Sequence, residues 1–361
     1  MKILWVFNHP APYKVRLFNE IAKYVDLEII FERTKAKDRP NEFYNCNEYN
    51  FPVHFFKHGY FGNENSFSGE LKRFIKKNHQ NYDLIIMNGY SKISEIKAIR
   101  YLKHKKIPFA LYINGGVVRK ENAFKRWYKK GLISAAKWYF SPSIEADKYL
   151  LNYGIKQEQI YHYPYSTLYE GDISHTPLNA HDKEERRKQY GLPNNEIFVN
   201  ASQFINRKNN LQVINIFKNL DKSLLLIGEG PEKKQYEELI EKENIKNVYI
   251  LPFKKKDELF KILQCCDYFI TLSKEDIYGH TINEALANGL PVISSTQVIG
   301  AHTMIDNGIN GFIVPLNDKE IIKAINQVKP SMVQDAINKA KYYTIENSSQ
   351  VHLNIFKEIL K

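Results

Sequence analysis

The chain has 361 residues, 43% of them hydrophobic and 25% charged. This balance excludes a disordered or fibrous protein, and at about 150 residues per domain the length predicts two domains. The formal net charge is +12. The whole excess lies in residues 1–170, because residues 171–361 carry equal numbers of basic and acidic side chains. The first half is therefore expected either to meet an anionic partner or to carry an ordinary solvated lysine surface.

The N-terminal segment and the cysteines bear on the cellular compartment. The apolar run at 3–7 is shorter than the core of a signal peptide, which needs about 7–15 residues. No stretch approaches the roughly 18 apolar residues of a membrane span. Three cysteines, two of them adjacent, indicate no disulfide framework. We expect a cytoplasmic protein with at most peripheral contact to the inner face of the cell membrane.

In the first half, short apolar runs alternate with segments of helical period. Continuous apolar runs are typical of strands that are buried on both faces of a parallel sheet. Alternation of such strands with helices indicates right-handed βαβ units in a doubly wound domain. The strands are predicted at 3–7, 27–31, 84–87, 109–113 and 138–140, and the helices at 14–24, 93–104 and 121–137.

The stretch 166–181, rich in Ser, Thr, Gly, Asp, Pro and Asn, breaks this rhythm and predicts a linker. We therefore predict an α/β protein with two Rossmann-like, doubly wound domains, 1–168 and 169–335, facing a central cleft. A C-terminal helix, 336–361, is expected to return towards the first domain. In the second domain, strands are predicted at 197–201, 224–227, 248–251, 268–272, 291–294 and 312–314, and helices at 209–219, 231–243, 257–264, 281–288 and 318–328.

The most informative stretch is 273–291, where a polar loop leads from a predicted strand into a helix that ends at Gly289. Gly279 lets the backbone approach a ligand closely. Glu284 follows one turn into the helix and is placed to hold a ribose diol. The first helical amides are free donors at the positive end of the helix and suit a diphosphate; they belong to His280, Thr281 and Ile282.

This stretch resembles the donor-site signature of the retaining family 4 glycosyltransferases of the GT-B fold, which belong to the glycosyl transferases group 1. That signature has two Glu residues separated by seven positions, an aromatic-Gly pair between them, and Glu-Ala-x-x-x-Gly-x-Pro-Val at its end. Here Tyr278-Gly279 and Glu284-Ala285 match, and Asp276 stands where the first Glu is usual. The resemblance implies that Asp276, or alternatively the adjacent Glu275, orients the donor sugar and that Glu284 holds the ribose.

Residues 202–208 resemble a second element of this family, Gly-Arg-Leu…Arg/Glu-Lys-Gly, whose Arg and Lys bind the donor diphosphate. Lys208 stands at the Lys position and Gln203 at the Arg position, with Arg207 as a neighbouring cation. The resemblance implies that Lys208 stabilises the leaving group. The plainer interpretation is a solvated Arg–Lys pair before a helix.

Two further segments resemble the family's donor domain. The turn that contains Gly228 and Gly230 resembles its Gly-Asp/Glu-Gly-Pro turn, and Phe253 matches the loop that flanks the nucleobase. The turn lacks the third glycine of a dinucleotide-binding Gly-x-Gly-x-x-Gly. The resemblance covers residues 195–316.

The first half matches the family more loosely. Two loops at the carboxyl ends of predicted strands are expected to face the cleft and the acceptor. His9 is expected to contact the acceptor or the diphosphate, and a purely structural role for this histidine is the alternative. The residues that these loops and the helix after the first of them would supply to the acceptor site are His9, Pro12, Tyr13, Arg16, Asn114 and Gly115.

The segment 119–137 holds seven basic residues interleaved with Phe124, Trp127, Tyr128 and Leu132. Such a segment suits a membrane-surface helix or a nucleic-acid-binding face. The favoured interpretation is an amphipathic helix whose apolar side chains pack on the sheet while its charges face outward.

The family resemblance implies a function. It is the transfer of a hexose, with retention, from a nucleotide-sugar (UDP-sugar favoured) to a glycan, lipid-linked or otherwise anionic acceptor in bacterial-type surface polysaccharide or glycoconjugate biosynthesis. No metal and no cofactor are expected, the nucleotide-sugar being a co-substrate, and no nucleic acid partner. The chain contains no Asp-x-Asp, Walker A or His-Glu-x-x-His sequence. The alternatives are a nucleotide-sugar epimerase of the same fold and a non-catalytic glycan- or nucleotide-binding module.

Overall fold

A computed structural model of the protein describes residues 1–35, 44, 48–56, 60–61, 65–66, 69–174 and 176–361. The chain folds into two units, one formed by Met1–Thr167 with Thr344–Lys361 and the other by Leu168–Tyr343. Each unit is built on a parallel sheet, which confirms the predicted α/β class with two doubly wound sheets. No helix within the described residues is both long and apolar enough to cross a membrane.

The first unit contains a seven-stranded parallel sheet whose strand order is β3-β2-β1-β6-β7-β8-β9. The apolar strands are buried because helices cover them, as the continuous apolar runs predicted. A short antiparallel pair, β4 and β5, lies outside this sheet. The strands are β1 (Lys2–Phe7), β2 (Asp26–Phe31), β3 (Val53–Phe55), β4 (Tyr60–Phe61), β5 (Asn65–Ser66), β6 (Leu84–Met87), β7 (Ala110–Tyr112), β8 (Trp138–Ser141) and β9 (Ile160–His162).

Within the described residues, five α-helices belong to the first part of this unit. They are α1 (Pro12–Ala22), α2 (Glu70–Asn78), α3 (Ile93–His104), α4 (Ala123–Ile133) and α5 (Ile144–Asn152). The expectation that the aromatic side chains of α4 pack on the sheet holds for Tyr128, which packs against the core. It is wrong for Phe124 and Trp127, which are exposed.

The second unit contains a six-stranded parallel sheet of order β12-β11-β10-β13-β14-β15. Its strands are β10 (Ile197–Ala201), β11 (Ser223–Ile227), β12 (Val248–Leu251), β13 (Tyr268–Thr271), β14 (Val292–Ser295) and β15 (Gly311–Val314). Its helices are α6 (Ala180–Gln189), α7 (Asn210–Phe217), α8 (Lys233–Lys242), α9 (Lys256–Leu263), α10 (His280–Ala287), α11 (Ala301–Met304), α12 (Asp318–Gln327) and α13 (Val333–Tyr342).

The C-terminal segment that was predicted as one helix over 336–361 is divided between the two units. Helix α13 packs against α10 in the second unit. Helix α14 (Ile345–Ile359) packs against α1 in the first unit. The break falls at Thr344, whose hydroxyl accepts a hydrogen bond from the amide of Asn347 and so caps the new helix.

Candidate active site

The order in which the chain adds strands to the second sheet reverses between β10 and β13. The chain builds β11 and β12 on one side of β10 and then crosses to form β13 on the other side. In open α/β sheets, ligands bind beyond the carboxyl ends of strands at such a switch point. The loops that follow β10 and β13 are therefore where a ligand is expected, and they carry the predicted residues 203–208 and 276–281.

Lys208 and Asp276 meet across these two loops. The Lys208 Nζ lies 2.5 Å from Asp276 Oδ2, and the two side chains are only 11% and 20% exposed. The other carboxylate oxygen, Oδ1, accepts hydrogen bonds from the amides of Tyr278 and Gly279 at 3.3 and 3.2 Å. Burial alone would raise the pKa of Asp276, but the Lys208 ammonium and the Gly279 amide outweigh it and hold that pKa below its usual value.

The structure also places the alternative carboxylate. Glu275 is exposed, whereas Asp276 points to Lys208. Arg207 is exposed, and its guanidinium donates to the backbone carbonyl of Glu275 at 3.4 Å. The amide of Lys274 donates to the Arg207 carbonyl at 2.8 Å, so Arg207 ties the two loops to each other.

Helix α10 follows a left-handed residue. Gly279 has φ of 56°, a conformation that costs a non-glycine residue free energy. The Tyr278 and His280 rings stack with centroids 5.5 Å apart. The amide of Ile282 donates to the Gly279 carbonyl at 2.8 Å, so the expectation that this amide is a free donor is wrong. The amide of Thr281 has no acceptor among the described residues.

A cavity of about 470 Å³ opens beside these loops, between the ends of β10 and β11 and helices α9 and α10. Five predicted residues line it: Gln203, Gly228, Phe253, Thr281 and Glu284. Phe253 is 70% exposed at this cavity, where a flat ligand could stack on its ring. Seven further lining residues were not predicted as site residues: Ala201, Ser202, Ile227, Glu229, Lys254, Lys256 and Leu259.

The Glu284 carboxylate lines this cavity. No hydrogen bond joins it to another described residue. Burial raises its pKa to about 7, although the Lys256 ammonium opposes the shift. Lys256 in turn pairs with Asp172 at 2.5 Å. An unpaired carboxylate that lines a cavity is suited to accept hydrogen bonds from the hydroxyl groups of a ligand.

This environment predicts a pH-dependent effect of Glu284→Gln. A raised carboxyl pKa means that the folded state binds the proton more tightly than the unfolded state, so stability is lost as pH rises from about 4.5 through 7. The Glu284→Gln variant has no carboxyl group to ionise at this position, so it does not lose this stability as pH rises. We expect its melting temperature to exceed that of the wild type by about 2–6 °C at pH 8 and to match it near pH 4.5. Thermal denaturation at both pH values checks this, and an equal difference at both would contradict it.

The two glycines of the 228–230 turn have a packing role. A Cβ at Gly228 would lie 1.9 Å from the carbonyl oxygen of Ser202, and one at Gly230 would lie 2.4 Å from that of Phe204. The turn after β11 therefore lies directly against the loop after β10. These glycines allow the two loops to form one wall of the cavity.

Gly228→Ala is accordingly expected to lower the free energy of unfolding by about 1–3 kcal/mol, because the backbone of Ser202 must move. Gly171→Ala is the matched control in the same unit, since a Cβ there meets no atom within 4 Å. Denaturant unfolding of both variants measures the difference. Equal stability of the two variants would contradict the packing role.

The first sheet has its own switch point, between β1 and β6. Three of the predicted acceptor residues make side-chain contacts near this switch point. His9 Nδ1 lies 3.1 Å from the Tyr44 hydroxyl, and Tyr13 packs edge-on against Tyr165. The side chain of Asn114 donates to Asn88 Oδ1 at 2.7 Å, while its own buried Oδ1 has no partner among the described residues. The other three occupy separate places: Pro12 opens α1, Arg16 lies in the second turn of that helix, and Gly115 follows Asn114.

Sequence reasoning missed a buried polar cluster at this edge. Glu32, which follows β2, pairs with Lys92 at 2.6 Å and accepts a hydrogen bond from the Ser94 hydroxyl at 2.6 Å. Lys92 also donates to Asn8, directly after β1. The position of Glu32 immediately after an apolar strand was the available signal.

Lys14 is a second buried group that the sequence did not reveal. It is 3% exposed, and its Nζ donates to the Tyr112 hydroxyl at 3.1 Å. It also lies 4.3 Å from the Tyr165 ring centroid. Burial lowers its pKa well below the usual value. In the sequence, Lys14 stands near Tyr13 and Arg16 at the start of α1, and nothing in this pattern distinguishes it from a surface lysine.

Within the part of the chain that the structure describes, no three His, Cys, Asp or Glu side chains come together as a metal site.

Comparison with known proteins finds sequence similarity in the second unit. Residues 182–343 match the family described as Glycosyl transferases group 1. The N-acetyl-alpha-D-glucosaminyl L-malate synthase of Bacillus anthracis is 30% identical over 142 residues. That match covers 38% of this chain but only 37% of the synthase, so it spans little more than a third of that relative.

Two solved structures share the whole fold. Anabaena Alr3699/HepE, crystallised in complex with UDP, has a TM-score of 0.75 and 18% sequence identity, with 99% of this chain and 100% of that chain covered. A glycosyltransferase from Rickettsia africae ESF-5 has a TM-score of 0.76 and 19% identity, with 100% and 98% covered. At this identity the likeness shows the fold, which is GT-B.

Proposed function

From the match of residues 182–343 to the family Glycosyl transferases group 1, we propose that the protein transfers a sugar from a nucleotide-sugar to an acceptor. The observation that carries the proposal is the Lys208–Asp276 pair beside the cavity lined by Glu284. It combines a cation for a leaving diphosphate with carboxylates for sugar and ribose hydroxyls at one switch point.

A UDP-sugar is the favoured donor. The Anabaena protein of the same fold was crystallised with UDP, and the cavity of about 470 Å³ offers an exposed aromatic ring and an unpaired carboxylate. Phe253 would flank the base and Glu284 would accept hydrogen bonds from the ribose. The diphosphate would then lie towards Lys208 and the amide of Thr281.

The mechanism that we propose is a front-face substitution with retention and without a metal ion. As the bond between the anomeric carbon and the phosphate oxygen breaks, Lys208 stabilises the negative charge on the departing diphosphate. That oxygen takes the proton of the acceptor hydroxyl while the hydroxyl oxygen bonds to the same face of the sugar. Asp276 orients the sugar hydroxyls and stabilises the positive charge that develops on the ring.

The pair must rearrange when the donor binds. In the unliganded protein Asp276 neutralises Lys208 at 2.5 Å. A diphosphate carries more charge than one carboxylate, so it competes for the ammonium and releases Asp276 towards the sugar. The pair would thereby keep a buried cation compensated until the donor arrives.

We assign the acceptor to the first unit, whose polar switch point holds Asn88, Asn114 and the Glu32–Lys92 pair. A glycan or a lipid-linked, anionic glycan is the favoured class, because the basic excess of the chain lies in this half. With such an acceptor, the protein would act in surface polysaccharide or glycoconjugate synthesis at the cytoplasmic side of the membrane.

The test is to incubate the protein with UDP-, GDP-, ADP- and CMP-sugars in EDTA, with a mixture of lipid-linked and free glycans. Release of nucleotide and a new glycosidic bond of unchanged anomeric configuration, read by NMR, are expected. An inverted product would overturn retention. Epimerised donor without acceptor would indicate an epimerase, and nucleotide binding without turnover would indicate a binding module.

A further inference from the structure

Two large aromatic side chains of helix α4 face the solvent. Phe124 is 74% exposed and Trp127 is 69% exposed, with ring centroids 6.0 Å apart. The preceding loop adds Val117 and Val118, which are 40% and 48% exposed. Exposed apolar groups concentrated in this way mark an interaction surface rather than the scattered apolar residues of an ordinary surface.

Basic side chains surround these apolar groups. The segment 117–130 contains six basic residues and one acidic residue. Lys120, Lys125 and Lys130 are exposed, and none of the three forms an ion pair with any residue in the described part of the chain. The segment thus presents positive charge and apolar surface together.

The one acid of the segment is turned away from this surface. Glu121 is only 12% exposed, because Lys129 pairs with it and the Tyr153 hydroxyl donates to it at 2.6 Å. Asn122 then caps α4 by accepting a hydrogen bond from the Lys125 amide at 2.7 Å. These contacts anchor the start of the helix and leave the lysines and the aromatic rings facing outward.

The location of the segment relates it to the acceptor. The loop before α4 leaves the carboxyl end of β7, the same edge of the first sheet that carries Asn88 and Asn114. A surface bound to this segment would therefore lie beside the residues assigned to the acceptor.

We propose that residues 117–130 form a membrane-docking surface that binds an anionic lipid bilayer. The four apolar side chains would enter the boundary between headgroups and acyl chains, and the lysines would pair with lipid phosphates. Docking of this kind is independent of the donor chemistry in the second unit.

The chemistry of the surface favours lipid over two other occupants. The core of a protein–protein interface is depleted of lysine, whereas Lys120 and Lys125 alternate with these apolar groups along the chain and Lys130 follows them. Single-stranded nucleic acid stacks its bases on aromatic rings, but it gives no favourable burial to the exposed valines. An anionic bilayer matches both features of the surface: its acyl chains bury the apolar side chains, and its headgroups pair with the lysines.

Vesicle flotation with the full chain tests the proposal. We expect partitioning to rise at least tenfold when phosphatidylglycerol is added to phosphatidylcholine vesicles, and to fall as salt screens the charge. Tryptophan emission should shift to shorter wavelength on binding, because Trp127 is 69% exposed, whereas Trp5 is fully buried and Trp138 is partly buried against the core. Equal partitioning to both kinds of vesicle, or none to either, would overturn the proposal.

Two double variants localise the effect. F124A/W127A and K120E/K125E are each expected to lower partitioning at least tenfold. The matched controls are Y24A, which removes a ring that is 67% exposed elsewhere in the same unit, and K319E/K323E, which reverses two exposed lysines of α12. Equal losses in the controls, or a wild-type dimer that F124A/W127A dissociates without changing flotation, would overturn the assignment.

A nucleotide control separates this proposal from the proposed function. The rise in melting temperature with UDP should be the same in wild type and in F124A/W127A, which also shows that the variant folds. If UDP has no effect on either protein while flotation behaves as expected, the donor assignment fails and membrane docking stands.

Discussion

Asp276→Asn is expected to lower kcat by about a hundredfold to a thousandfold while nucleotide binding is kept or strengthened. The amide preserves the shape of the side chain and can still accept hydrogen bonds from the amides of Tyr278 and Gly279. It removes the charge that neutralises Lys208 in the unliganded protein, so the ammonium is available to the diphosphate from the start. The value of kcat falls because the transition state loses the negative charge that stabilises the reacting sugar.

Calorimetric titration with UDP and initial rates of transfer measure the two effects separately. Glu275→Gln is the matched control, since it removes the adjacent carboxylate, which is exposed. The control is expected to keep its activity within about threefold of the wild type, as befits a surface charge. Loss of transfer in Glu275→Gln with full activity in Asp276→Asn would reverse the assignment of the two carboxylates.

Lys208→Met is expected to have the other large effect, on both stability and binding. The substitution leaves the Asp276 carboxylate, which is only 20% exposed, without its cation. We expect a loss of about 1–3 kcal/mol in the free energy of unfolding, because a largely buried charge has lost its partner. UDP affinity should fall about tenfold to a hundredfold, since a charge-assisted hydrogen bond to the diphosphate is removed.

The double variant K208M/D276N separates folding from function. Removing both charges should restore most of the stability, because no unpaired charge remains, but transfer should stay below detection. Arg207→Met is the control for charge alone, because Arg207 is exposed and its guanidinium donates to a backbone carbonyl on the neighbouring loop. Recovery of transfer in the double variant, or an equal loss of UDP affinity in Arg207→Met, would contradict the role given to Lys208.

The strands that lie at the centre of each sheet were predictable because they are continuous apolar runs, buried on both faces. The short edge strands β3 and β9 were not predicted, because three residues carry too little pattern. Helix α6 fell partly within the predicted linker, since its only buried residue is Arg187 and it has no apolar stripe. The break at Thr344 was missed because the flanking helices have the same period.

Some features of the candidate site were likewise predictable from the sequence, and others were not. Lys208, Asp276 and Glu284 were predicted because they stand at matching positions of the motifs that resemble the glycosyltransferase family. Their mutual contact was not predictable from spacing, because Lys208 and Asp276 are 68 positions apart and meet only through the pairing of β10 with β13. The outward orientation of Trp127 likewise depends on how α4 is anchored, and no residue pattern distinguishes it from a buried aromatic stripe.

The most direct test of the central claim is a thermal-shift titration with UDP in EDTA on the wild type and on Glu284→Ala. A ligand that binds only the folded state stabilises it by about 2.7 kcal/mol at a hundredfold excess over its dissociation constant. We predict a clear rise in the melting temperature of the wild type and little or none in Glu284→Ala, because the ribose loses its acceptor. No rise with UDP or with any other nucleotide diphosphate would contradict the assignment of the second unit as a nucleotide-sugar site.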